Sequence, residues 1–167
     1  MKSFGVVAEA FRYPAPGRLD ALAASLAEMP PGPARESCAA FLGQVRPLSL
    51  GEWEELYTRT LDLNPLAVPY VGFQAWGESY LRGGFMSRLN AELVRCGVDP
   101  AGELPDHLVP VLRYLEAAPD PLPELLQILP PAVQGMLKTL KAADPGNPYL
   151  HLLEAAGRLA QGLKVQE

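Results

Sequence analysis

Prolines and glycines cut this chain into short amphipathic stripes, and that punctuation leaves room for little except helices. Phe4, Val7, Ala8 and Phe11 fall at the i, i+3, i+4, i+7 spacing that lines up apolar side chains on one helix face. The same spacing recurs at Leu19, Leu22, Ala23 and Leu26, at Cys38, Phe41, Leu42 and Val45, and at Trp53, Leu56, Tyr57 and Thr60. It continues through Leu81, Phe85, Leu89 and Leu93, then through Leu104, Leu108, Val111, Leu112 and Leu115. Further stripes run over Leu122, Leu125, Leu126 and Leu129, over Val133, Met136, Leu137 and Leu140, and over Tyr149, Leu152, Leu153 and Ala156. No alternating run is long enough to predict a strand. The expected fold is all-α: one domain over residues 1–167, an antiparallel bundle of about seven to nine helices.

The breaks have a physical basis. Proline lacks the N–H that a helix interior needs, yet suits the first helical turn. Tyr13–Gly17 and Met29–Pro33 therefore end the first two helices, and Asp144–Pro148 is the last connector. Ser49 followed three residues later by Glu52 predicts a capping box opening the fourth helix. Pro130-Pro131 predicts a break that splits the long leucine-rich segment near the C-terminus. The segment from Leu61 to Gly77 is the exception. It carries Pro65, Pro69, Gly72 and Gly77 among aromatic residues and has no clean stripe, so it is either a bent core helix or the irregular wall of a groove.

Composition removes several function classes. The net charge of -5 lacks the basic footprint of a nucleic-acid binder and favours a basic partner such as an Arg- or Lys-bearing peptide. No run of about 18 apolar residues is present, so the chain is not expected to be membrane-embedded. The N-terminal residues lack a signal-peptide layout, which places the expectation in the cytoplasm. Cys38 and Cys96 stand far apart in no metal spacing and read as two buried apolar thiols. His107 and His151 are too few and wrongly spaced for zincin or di-iron sites, and no phosphate-cradling glycine loop occurs. No metal, cofactor or catalytic residue is expected.

The remaining candidates each have a plain structural alternative. Asp62 or Asn64 caps the segment that follows the Asn64-Pro65 turn, or Asp62 faces a groove and pairs with an incoming guanidinium. Arg82 is expected to pair with Glu78 four residues earlier. Asp106 is expected to cap a helix starting near Pro105, with His107 on its wet face. Tyr70, Phe73 and Trp76 are either core or groove lining.

Between Leu56 and Leu115 these small signals follow a particular order. Tyr57, Asp62 and Pro65 come first, then Tyr70, Gly77, Arg82-Gly83, Met86 and Leu89, then Gly97 and the stretch Glu103-Leu104-Pro105-Asp106 with Leu108 and Pro110. That order resembles the NarJ-type proteins, the delta subunit of respiratory nitrate reductase, and more loosely the TorD-like redox-enzyme maturation proteins. The chain departs from the family pattern at Leu61 and Leu63, where aromatics are usual, at Gln74 in place of His, and at Glu78 in place of Asp.

The resemblance implies an all-helical chaperone without turnover. Its partner would be the N-terminal peptide of the catalytic molybdenum subunit of a nitrate reductase, held until cofactor insertion and membrane docking. The chaperone itself would be a monomer or a dimer. The expected peptide-binding residues are Tyr57, Asp62, Asn64, Pro65, Tyr70, Phe73, Gln74, Trp76, Arg82 and Asp106. The alternative is a helical adaptor for an unrelated partner.

Overall fold

The computed structural model describes residues 3–163, and among them the chain is all-α, with no strand. The helices are α1 (Ser3–Ala10), α2 (Arg18–Glu28), α3 (Pro33–Val45), α4 (Leu50–Tyr57), α5 (Val71–Trp76), α6 (Tyr80–Arg95), α7 (Leu108–Ala117), α8 (Pro123–Ala143) and α9 (Tyr149–Gln161). A π-helical turn, Thr58–Asp62, extends α4. No helix among the described residues is long and apolar enough to cross a membrane.

The helix starts follow local chemistry. Pro33 and Pro123 occupy first-turn positions of α3 and α8. Ser49 Oγ accepts from the Glu52 backbone N–H at 3.1 Å, and the Glu52 carboxylate accepts from the Ser49 N–H at 2.9 Å. The predicted capping box is thus complete and satisfies two otherwise orphaned donors.

Packing joins distant parts of the chain. Helix α9 packs on α3 and α8, while α1 lies against α7 and α9. Tyr149, the first residue of α9, is fully buried among the rings of Phe11, Phe41 and Tyr57, and its hydroxyl accepts from Trp53 Nε1 at 3.1 Å. Burial pushes the Cys38 thiol up to about 12, so it behaves as an apolar side chain. Cys96 is only half-buried, at the end of α6, and both thiols are free.

Three sequence expectations need correcting here. Pro130-Pro131 does not split α8, which runs unbroken for 21 residues. Leu125, Leu129, Ala132, Val133, Met136 and Leu140 are buried on that helix, which packs against α5 and α9. Burying such a stripe outweighs the cost of about 3 kcal/mol for an interior proline. Leu104 does not join the α7 stripe; it precedes the helix and is 47% exposed. Cys96 is not buried to the extent expected.

Candidate functional site

The irregular stretch after α4 begins as a π turn because its side chains are held elsewhere. Thr60 Oγ1 donates to the Leu56 carbonyl at 2.6 Å and accepts from Asn147 Nδ2 at 2.8 Å, tying the turn to the α8–α9 connector. The Leu63 N–H closes back on the Thr58 carbonyl at 3.0 Å. Widening the helix by one residue buries Leu61 and turns Asp62 and Leu63 out to solvent. Single π turns of this kind recur at functional sites.

Seven residues later the chain meets the loop before α7. Val71 N–H donates to the Asp106 carbonyl at 2.8 Å, and Leu108 N–H donates to the Pro69 carbonyl at 2.9 Å. These bonds draw the Asp106 side chain inside. Its carboxylate is fully buried, takes two hydrogen bonds from the Arg82 guanidinium at 2.9 and 3.2 Å, and accepts the Gly72 N–H at 3.1 Å. The Arg82 side chain is only 14% exposed and its guanidinium lies 5.4 Å from the Tyr70 ring and 5.7 Å from the Phe73 ring. Trp76 packs on Phe85 at 5.3 Å. This arrangement is a structural lock joining α5, α6 and α7.

The lock overturns several expected roles. Asp106 neither caps α7 nor faces a groove; it answers a basic residue of its own chain. Arg82 pairs with Asp106 and not with Glu78. His107 is not on a wet face: it is buried and is itself the N-cap of α7, with Nδ1 accepting the Val109 N–H at 3.1 Å. Neither Asp62 nor Asn64 caps α5, whose N-cap is Tyr70 and which has no side-chain cap. Asn64 instead takes a left-handed backbone conformation, φ 45°, in an exposed turn before Pro65. Gln74 donates to the Val68 carbonyl at 3.0 Å and abuts Gly135 of α8.

Burial lowers the His107 imidazole from its ordinary 6.5 to about 4, with the Asp106 charge opposing. Between those values the unfolded chain takes up a proton that the folded chain refuses. Stability is therefore lost as pH falls through this window. His107→Asn keeps a capping side chain but not the imidazole. Its stability deficit relative to the parent should shrink by about 3 kcal/mol between about pH 7 and about pH 4, read by urea unfolding at each pH.

Beside the lock lies an open cleft of about 300 Å³, lined by Tyr13, Arg18, Tyr57, Glu103, His107 and Val109, among others. Tyr13 stacks edge-on against Tyr57 at 5.1 Å and donates to Glu54 at 3.0 Å. Tyr70 closes the far side of His107, the two rings 5.4 Å apart. Burial and the charge of Asp62 raise the Glu103 carboxyl. Asp62 is exposed at the end of the π turn, outside the residues that line the cleft. Among the described residues neither Asp62 nor Glu103 has a cationic partner: Glu103 lies 3.9 Å from His107 Nε2, a ring that is neutral at neutral pH. Exposed apolar side chains adjoin both in sequence, Leu63 at 69% next to Asp62 and Leu104 at 47% next to Glu103, and Tyr13, which lines the cleft with Glu103, is 49% exposed.

Of the expected site residues, Tyr57 lines the cleft, Tyr70 packs on His107, which also lines it, and Asp62 is exposed at the end of the π turn. Asn64 and Pro65 form the turn that follows Asp62, while Phe73, Gln74, Trp76, Arg82 and Asp106 are held by contacts within the fold. Tyr13, Arg18, Glu103 and His107 were absent from the expected set. Glu103 and Tyr13 carried a signal, the first in the Glu-Leu-Pro-Asp stretch and the second before Pro14, but spacing alone does not say which acid of that stretch faces out. No family model matches the chain, and no curated protein matches it.

Proposed function

We propose that this chain is a maturation chaperone of the NarJ type, which holds the N-terminal peptide of a nitrate reductase's catalytic subunit without turning it over. One observation carries the reading: two carboxylates with no cationic partner among the described residues, Asp62 and Glu103, each stand next to an exposed leucine, Leu63 and Leu104, and Glu103 shares an open, aromatic-lined cleft with the exposed Tyr13. Apolar side chains of that size supply affinity when covered, and carboxylates at their edge supply register and on-rate. The all-helical fold and the ordered motifs between Leu56 and Leu115 agree with this assignment.

The test is a calorimetric titration with the N-terminal segment of the reductase subunit. Saturable binding is expected, weakened about tenfold or more by the paired change Leu63→Ser and Leu104→Ser. Both side chains are exposed, so folding stability should stay within about 0.5 kcal/mol. A folded protein that does not bind the segment, or binds it equally after both changes, contradicts the proposal.

A further inference from the structure

The cleft is lined by charges of both signs. Arg18, the first residue of α2, and Glu103, from the loop after α6, both line it, together with Arg12. The Arg18 side chain is half-buried and makes no hydrogen bond or ion pair among the described residues, and the two charges do not touch each other. The other charged groups nearby are accounted for. Arg12 is held by Glu9 at 2.9 Å, Glu54 takes the Tyr13 hydroxyl at 3.0 Å, and Asp62 is exposed and not among the cleft's lining residues. Partly desolvated charges without partners are costly, and here one of each sign faces a shared space of about 300 Å³. Burial and then the neighbouring Arg12 charge lower the Arg18 guanidinium, with Glu9 opposing, so a further anion beside it would offset the lowering.

We infer that the cleft selects a dipolar peptide segment, a basic side chain meeting Glu103 and an acidic one meeting Arg18, with Tyr13 and Tyr57 covering the apolar stems between them. This rests on the peptide-holding reading above and adds the charge order that the occupant must carry. Arg18 is then a specificity-determining residue from the N-terminal part of the chain, outside the Leu56–Leu115 block.

Four blocked leucine-rich pentapeptides test it: one with an arginine and a glutamate, one with arginine only, one with glutamate only, and one with glutamine at both places. Binding is read by NMR shifts of the Val109 methyls and Tyr57 ring, with the reductase segment as a fifth ligand. Each charge should tighten binding about threefold. Arg18→Gln should remove only the gain from glutamate, and Glu103→Gln only the gain from arginine. Thermal melts confirm that both variants remain folded. Equal binding of all four peptides, or a glutamate gain that survives Arg18→Gln, overturns the inference. If none of the four shifts these signals while the reductase segment still binds, the charge order falls and the peptide-holding reading stands. If the reductase segment also fails to bind, both fall.

Discussion

Asp106→Ala is expected to cost about 3–5 kcal/mol, because it strips the partner from a nearly buried Arg82 and the acceptor from the Gly72 N–H. For a chain of this length that corresponds to a fall in Tm of roughly 10 °C. The carboxylate is fully buried and the guanidinium 14% exposed, so water reaches the uncompensated charge poorly. Arg82→Ala should cost a similar amount for the converse reason, leaving a buried carboxylate with only one backbone donor. The pair acts as a unit. The double change Asp106→Ala with Arg82→Ala should therefore cost clearly less than the sum of the two, by about 1–3 kcal/mol. Urea unfolding of the four proteins checks this. Additive losses would mean that the pair is not the element joining α5, α6 and α7.

Gly72→Ala is the second large effect, about 2–3 kcal/mol of destabilisation. A Cβ at this position would lie 2.7 Å from Asp106 Oδ2 and 3.2 Å from both Arg82 Cγ and a Phe85 ring carbon. The oxygen cannot retreat without loosening its bonds to Arg82, and the ring is fully buried. Gly72 is therefore needed for close approach. In an Asp106→Ala background the obstructing oxygen is gone, so the penalty should drop to about 1 kcal/mol or less. The same unfolding series reads this difference.

These two effects show why the lock escaped sequence reasoning. The helices were legible because each buries one face, and periodicity reports faces. The lock is built from Gly72, Arg82 and Asp106, three single residues on three elements, with no period to reveal that they meet. Arg82 and Glu78 stand at helical spacing, which predicted an ion pair between them, but Glu78 precedes the start of α6 at Tyr80. Likewise Asp106 looked like the cap of α7, yet the two backbone bonds between residues 69–71 and 106–108 turn its side chain inward and leave His107 to cap. Pro130-Pro131 shows the reverse case, a strong local signal overruled by burial of the stripe on both sides of it.

The cleft was half legible. The resemblance and the irregular aromatic stretch pointed to Tyr57, Asp62 and Tyr70; of these Tyr57 lines the cleft, and Tyr70 packs on the lining residue His107. Its other wall comes from the connector between α1 and α2 and from the loop after α6. Those segments are far apart in sequence, and α1, which precedes the one, packs against α7, which follows the other.

The most direct test of a peptide-holding cleft is amide hydrogen exchange with and without the reductase N-terminal segment. Slower exchange is expected over residues 61–70 and 99–107 and around Tyr13, with α8 and the outer face of α3 unchanged. Protection confined to α8 or α3, or no change at saturating segment, would contradict the account.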